Sequence, residues 1–91
     1  MLVRAQFHGL LAHWITGEDE FCLPAGARLQ DLLAAIGRRY GETMPTQLWD
    51  RQRQGFAPQV AAFTGGSRLE DPSCPLQDGQ QIRFMLMLGG G

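Results

Sequence analysis

The residues with the clearest chemical potential in this sequence are the last three, Gly89, Gly90 and Gly91, with the carboxylate of Gly91. They directly follow an apolar run over 82–88 that is typical of a core strand. Glycine loses much entropy on ordering and buries no side chain, so folding gives no reason to add three of them. Three extended residues span about 10 Å at most. The pattern indicates a thin C-terminal segment that reaches into a narrow site on another protein.

Length and composition describe one small domain. The chain has 91 residues, 44% of them hydrophobic, and its formal net charge is −1. This balance argues against a nucleic-acid binder, because such domains carry a basic surface. The sequence contains no apolar stretch as long as a membrane span and no visible signal peptide. We therefore expect a cytoplasmic protein with no nucleic-acid or membrane partner.

Few side chains could act as nucleophiles or metal ligands. Cys22 and Cys74 lie far apart without CxxC spacing, so we expect reduced thiols and leave the reactivity of each open. His8 and His13 have no accompanying ligand cluster, and the sequence predicts neither a metal site nor a cofactor bound by this chain. All eight basic residues are arginines. Arginine cannot deprotonate to become a nucleophile, so no lysine amine is available to attack an activated C-terminus, although compositional bias explains the same fact.

Two periodicities predict the elements that must position the tail. Alternation over 2–8, 19–23 and 80–88 predicts half-buried strands, and shorter strands are predicted over 60–64 and 67–69. A helix is predicted from one apolar stripe with helical spacing, formed by Leu29, Leu32, Leu33, Ile36 and Tyr40.

Further predictions concern glycines in and after the helix and the segment that follows it. We expect Gly41 to end the helix in a left-handed conformation, and Gly37 to cost about 1 kcal/mol relative to alanine. Residues 42–58 fit either a short helix that begins at Pro45 and ends at Gly55 or an ordered loop. In both cases we expect Trp49 to cover one edge of the core.

These elements predict an α+β fold in which one main helix packs on one face of a mixed sheet of four to five strands. The first and last strands are expected side by side at the centre. This is the β-grasp arrangement. The predicted domain covers residues 1–88, and a flexible glycine tail covers 89–91.

A second candidate site lies on the sheet face predicted to point away from the helix. Met85 and Met87 share this face, and methionine is common on adaptable binding surfaces. With Arg4 and Arg83 they form either a partner-docking patch or ordinary sheet residues that the segment 42–58 covers.

Four segments of the sequence carry a resemblance to a known family: Phe7-His8-Gly9-Leu10-Leu11, residues 23–27 leading into 29–33, Pro75-Leu76-Gln77-Asp78-Gly79-Gln80, and the final Gly90-Gly91. With them the chain resembles the ubiquitin-like sulfur carriers, namely the small subunit of molybdopterin synthase and the thiamine-pathway sulfur carrier. The tail lacks prolines and looks like the thiamine member, whereas the length and the segment 42–58 look like the molybdopterin member. The pathway therefore stays open.

The resemblance implies a cycle of chemistry at Gly91. A ubiquitin-activating-like partner enzyme would adenylate its carboxylate with ATP, and a sulfur donor protein would then leave a thiocarboxylate. An acceptor synthase, such as a molybdopterin synthase large subunit or a thiazole synthase, would take the sulfur. Gly89 and Gly90 would thread into these partners, and the chain itself would not be an enzyme. The alternatives are a ubiquitin-like modifier joined through Gly91 to target lysines, and a β-grasp interaction module whose tail does no chemistry.

Overall fold

Strands and one α-helix follow one another in the computed structural model, which describes residues 1–87. The elements, in chain order, are β1 (Leu2–His8), a 3-10 helix (Gly9–His13), β2 (Glu18–Cys22), α1 (Leu29–Tyr40), β3 (Trp49–Asp50), β4 (Gly55–Phe56), β5 (Val60–Thr64), β6 (Ser67–Leu69) and β7 (Gln81–Leu86). The predicted domain boundary at residue 88 and the predicted tail over 89–91 lie outside the described residues.

The main sheet of residues 1–87 has five strands in the order β2-β1-β7-β5-β6. β1 and β7 run parallel, and the other neighbours are antiparallel. The register sets Phe7 opposite Phe84 and His8 opposite Met85. The predicted mixed sheet, with the first and last strands side by side in its interior, is therefore confirmed. Because the pair is parallel, β1 and β7 end at the same edge of the sheet.

Alternate residues of the two interior strands point into one core. Val3, Ala5 and Phe7 of β1, and Ile82 and Phe84 of β7, are each at most 3% exposed. The stripe of α1 meets them through its buried residues Leu29, Leu32 and Ile36. The helix therefore lies across one face of the sheet, as predicted. The strand bounds differ slightly, since β2 begins at Glu18 and β7 ends at Leu86.

A loop that is distant in sequence accepts hydrogen bonds from the first amides of α1. Arg28 offers no side-chain cap to the first amides of the helix. Instead, the N–H of Leu29 donates to the carbonyl of Cys74 at 2.9 Å, and the N–H of Gln30 donates to the carbonyl of Pro72 at 2.8 Å. The Asp31 carboxylate accepts from the N–H of Arg28 at 2.8 Å. The loop that leads into β7 thus satisfies amides that would otherwise be orphaned at a helix end.

The short helix predicted from Pro45 is wrong. Residues 42–58 form turns and a two-stranded antiparallel hairpin of β3 and β4, in which Trp49 pairs with Phe56. Trp49 is 1% exposed and belongs to the core, so it does not merely cover an edge. Its ring meets that of Phe56 edge-on at 4.9 Å, and Phe56 lies 5.1 Å from the ring of Phe84. Trp49 and Phe56 contact each other across the hairpin as well as α1 and the sheet. A proline and a glycine placed like helix ends do not reveal such contacts.

Gly37 within α1 and Gly41 at its C-terminal end both lie close to the indole of Trp49. A Cβ on Gly37 would lie 2.7 Å from Cζ2 of Trp49 and 2.5 Å from Oε1 of Gln54. A Cβ on Gly41 would lie 3.2 Å from Nε1 of Trp49. Gly41 has φ −56°, a right-handed conformation, so the predicted left-handed stop is wrong. The close approach of the indole accounts for Gly37 and offsets its helical cost, whereas a Cβ on Gly41 would first meet the carbonyl oxygen of Gly37, at 2.5 Å.

Asp19 ties the last turn of α1 to β2. Its carboxylate accepts hydrogen bonds from the Tyr40 hydroxyl and, at 2.8 Å, from the Arg39 guanidinium. The same guanidinium lies 4.2 Å from the ring centre of Phe21. Burial raises the pKa of Asp19, but the hydrogen bonds from Tyr40, Arg39 and the N–H of Glu20 outweigh it and hold this pKa below its ordinary 3.8. Burial and the bond to Asp19 raise the pKa of Tyr40.

We expect Gly37→Ala to destabilise the protein by about 1–3 kcal/mol, because the methyl group would overlap the indole of Trp49. At an open helical site the same change would stabilise by about 1 kcal/mol. Urea unfolding measures the difference. Gly17→Ala is the control, since a Cβ there meets nothing within 4 Å. A Gly37→Ala protein as stable as the original would show that Trp49 does not need this space.

We expect Tyr40→Phe to lower stability by about 1 kcal/mol at pH 7, because Asp19 loses a donor. A carboxyl group whose pKa is lower in the folded than in the unfolded state stabilises the fold at pH values above the unfolded-state pKa. This stabilisation is lost as the pH falls through the folded-state pKa. The difference between the two proteins should therefore shrink below pH 3.8. Urea unfolding across this range measures it, with exposed Arg38→Gln as control. A difference independent of pH would contradict the assignment.

Candidate functional site

The face of the sheet opposite α1 carries a group of half-buried and exposed side chains. Met85 lies opposite His8 of β1 and Ala61 of β5, and Arg83 lies opposite Phe63. These positions alternate with core residues, so they point away from the helix. Met87 follows β7 directly and is 46% exposed. We call this group the outer patch; its members are His8, Phe63, Arg83, Met85 and Met87.

The segment 42–58 does not cover the outer patch. Phe56 of this segment lies 6.5 Å from the ring of Phe7 and 5.1 Å from that of Phe84. Both of these residues are in the core, on the helix side of the sheet. The segment therefore packs on the inner face, and Met85 stays half-buried among its sheet neighbours.

Arg4 lies further from Met85 than the other residues predicted for this surface do. It pairs with Gln81, four residues before Met85 on β7, which corresponds to about 13 Å along the strand. Its guanidinium lies 3.7 Å from Glu18 and 3.8 Å from Glu20 on β2. Arg83 instead donates to the Gly65 carbonyl at 3.1 Å, beside the patch. Along the strands, Arg83 lies about 7 Å from Met85 and about 13 Å from Met87, and Arg4 lies about 7 Å further from the tail than Arg83. Arg4 therefore neighbours Arg83, but its charge is paired with Glu18 and Glu20.

The predicted tail residues Gly89, Gly90 and Gly91 lie outside the described residues. The N–H of Met87 donates to the carbonyl of Gln59 at 2.7 Å, so the chain is fixed to the sheet up to this point. Four residues follow Met87 in the sequence. When fully extended they span about 14 Å. Any site that Gly91 enters must therefore lie within this reach of the Met87 end of the outer patch.

Exposed apolar side chains also lie near this end. The 3-10 helix that follows β1 packs against β7, and Leu10 within it is 54% exposed. Trp14, just after it, is 37% exposed and meets the His13 ring edge-on at 5.1 Å. We did not single out Leu10, Trp14 or Phe63 from the sequence. Phe63 gave no signal in the sequence, because Ala61 and Ala62, one on each face of this short apolar strand, are both buried.

A cleft lies on the inner side of the sheet, which is the side that faces α1. It is a cleft of about 600 Å³ between the start of α1, the hairpin and the β5–β6 edge. Phe56, Val60 and Leu69 give it an apolar lining. Arg68 and Glu70 at its margin lie 3.9 Å apart, so their charges partly cancel. The cleft offers contact for an apolar group on the side opposite the outer patch.

Other chemical features of the described residues are modest. Cys22 is exposed, Cys74 is half-buried, and both are free thiols. Residues 1–87 bring together no group of three His, Cys, Asp or Glu side chains suited to a metal ion. Within the same residues, no helix is long and apolar enough to cross a membrane.

Comparison with solved structures identifies the architecture. SAMP1, a small archaeal modifier protein from Haloferax volcanii, superposes with a TM-score of 0.80 at 12% identity over 100% of both chains. A putative molybdopterin converting factor subunit 1 from Pyrococcus furiosus has a TM-score of 0.74 at 20% identity, over 97% of this chain and 99% of the other. The chain has the β-grasp, ubiquitin-like fold. The resemblance found in the sequence is confirmed at the level of this fold.

A third neighbour is a chain in the complex of subunits 1 and 2 of molybdopterin-converting factor from Helicobacter pylori. It has a TM-score of 0.66 at 19% identity over 100% of both chains. No protein-family model matches the sequence of this β-grasp protein, and no curated protein matches it either. Its likeness to known proteins is therefore a likeness of structure.

Proposed function

We propose that this β-grasp protein is a sulfur carrier, and that a partner enzyme adenylates Gly91 before its conversion to a thiocarboxylate. The thiocarboxylate then donates sulfur in cofactor biosynthesis of the molybdopterin or thiamine type. The observation that carries the proposal is the position of β7. This interior strand ends at Leu86, beside the outer patch, and the short segment that follows it to Gly91 is rich in glycine. The whole-length likeness to molybdopterin converting factor subunit 1 supports it.

The chemistry explains why partners are needed. A carboxylate is anionic and has no leaving group, so a sulfur nucleophile does not displace its oxygen. Adenylation with ATP joins the Gly91 carboxylate to AMP and releases pyrophosphate. Sulfide delivered by a sulfur donor protein then forms the C–S bond as the C–O bond to AMP breaks, which leaves the thiocarboxylate and free AMP. In this scheme the partner consumes the ATP and supplies the catalytic groups. The chain acts in the cytoplasm as a substrate of its partners that carries sulfur, and not as an enzyme.

The outer patch is the proposed docking surface for these partners. Its methionines offer adaptable apolar contact next to the root of the tail, and Phe63 extends this contact along the sheet. A tail of four residues reaches a partner's site only if that partner docks close to Met87. One surface would therefore serve the adenylating enzyme and the acceptor synthase in turn. The neighbour from Helicobacter pylori, which is a complex of subunits 1 and 2, supports docking on a larger synthase subunit.

A ubiquitin-like modifier is the second candidate. The likeness to a small archaeal modifier protein favours it. In that role the adenylated Gly91 would pass to the lysine amine of a target protein. A β-grasp interaction module with an inert tail is the third candidate, and it requires only the outer patch.

Intact-mass measurement after co-expression with a cognate adenylating enzyme tests the three functions. We expect the mass change of one oxygen replaced by sulfur, located at Gly91 by fragmentation. Covalent adducts with other proteins would favour the modifier. An unchanged mass with every co-expressed activating enzyme and sulfur donor would leave only the interaction module.

We expect Gly90→Val to retain the fold and to abolish thiocarboxylate formation, because a branched side chain restricts the backbone and widens the tail. Thermal unfolding and intact mass after reaction with the adenylating enzyme, ATP and a sulfur donor measure the two effects. Gln77→Val, on an exposed loop, is the control for the added side chain. Normal activation of Gly90→Val would contradict threading of the tail through a narrow site.

We expect Arg83→Glu to weaken binding to the adenylating enzyme by about tenfold or more, since it places a charge of the wrong sign beside the outer patch. Arg4→Glu is the control on the same face, because Arg4 lies about 13 Å along the sheet from Met85 and is already paired with Glu18 and Glu20. Titration calorimetry with the cognate enzyme measures both. Equal losses for the two variants would show that docking is not centred on the outer patch.

A further inference from the structure

The chain contains almost no amine of its own. All eight basic residues are arginines, and the sequence has no lysine. Among these 91 residues the α-amino group of Met1 is the remaining amine. Starting from the proposed function, we propose that the activated C-terminus of this protein is inert towards the protein itself. It neither cyclises nor links copies by amide bonds, and it is delivered one copy at a time to an external nucleophile.

The amine of Met1 is held within the fold. Its nitrogen donates to the carbonyl of Leu23 at 2.6 Å, and the N–H of Leu23 donates back to the carbonyl of Met1 at 2.8 Å. The side chain of Met1 packs against the core. An ammonium that is hydrogen-bonded in this way must lose both a proton and a partner before it can attack a carbonyl carbon.

The parallel pairing of β1 and β7 keeps this amine far from the tail. β1 runs from Leu2 to His8, and His8 lies opposite Met85. Six residue steps of a strand cover about 20 Å, so Met1 lies at least about that far from the end of β7. The four residues after Met87 reach about 14 Å. The carbonyl of Gly91 therefore cannot meet the amine of the same molecule while the sheet is intact.

The free thiols do not change this conclusion. Cys22 pairs with Leu2, at the same remote end of the sheet as Met1. A thiol of a second copy would exchange with an activated Gly91, forming a C–S bond as the leaving group departs. The product is a thioester, which is itself activated and which added thiol reverses. Only an amine would trap the chain permanently, because the nitrogen loses its proton to solvent and the resulting amide is stable.

A chemically prepared thioester of the full chain tests the proposal without any activating enzyme. The thioester at Gly91 would be released from an intein fusion and incubated at neutral pH. Gln59→Lys is the reporter variant, because Gln59 is exposed and its carbonyl binds Met87 at the root of the tail. Gln59→Arg adds the same charge without a nucleophilic amine. Products are read by intact mass after thiol treatment, which leaves amides and removes thioesters.

We expect the natural sequence and Gln59→Arg to give only the hydrolysed monomer. Gln59→Lys should give amide-linked product, chiefly cyclised, at least about tenfold faster, since the new amine lies within reach of the tail. Amide-linked dimers or cyclised monomers of the natural sequence, formed as fast as from Gln59→Lys, would overturn the proposal. Failure of the sulfur-carrier function would appear separately, as a chain that no adenylating enzyme activates.

Discussion

The structure depends on the parallel pairing of its first and last strands. Phe7 and Phe84 face each other across this pair, with stacked rings 5.6 Å apart, and both are almost completely buried. Parallel strands need a crossover, and here almost the whole chain between β1 and β7 serves as one. The helix, the hairpin and the outer strands are thus added around a strand that is formed from the end of the sequence. This arrangement puts the root of the C-terminal segment on the most strongly held part of the sheet.

Most of the fold could be predicted from the sequence, because period-2 and period-3.6 patterns report directly which face of an element is buried. The strands and α1 are examples. The hairpin of residues 42–58 could not be predicted in this way. Trp49 is buried by contact with Gly37 and Gly41, which precede it by several residues on another element. A glycine that is unfavourable for its own helix is explained only by a side chain elsewhere, and local patterns contain no such information.

The residues of the candidate site could be predicted from the sequence to a similar extent. Alternation along the last strand correctly separates Met85 from Phe84 and assigns it to the outer face. Alternation gives the face but not the position along the sheet, which is set by strand register. For this reason Arg4 was grouped with Arg83, although the register places it near Gln81 and its side chain pairs with Glu18 and Glu20. Phe63 was missed for a related reason, since a short apolar strand does not reveal from sequence which of its two faces is open.

The same strand register bears on chemistry as well as on stability. A chain that carries a reactive acyl group needs the group to be accessible to partners and inaccessible to its own nucleophiles. Parallel β1 and β7 place the N-terminal amine and Cys22 at one edge of the sheet and the root of the tail at the other. Because the tail is short, Gly91 cannot reach the N-terminal amine or Cys22 of the same molecule. In this protein, selectivity for an external nucleophile would follow from the distance between two ends of a sheet, together with the use of arginine at every basic position.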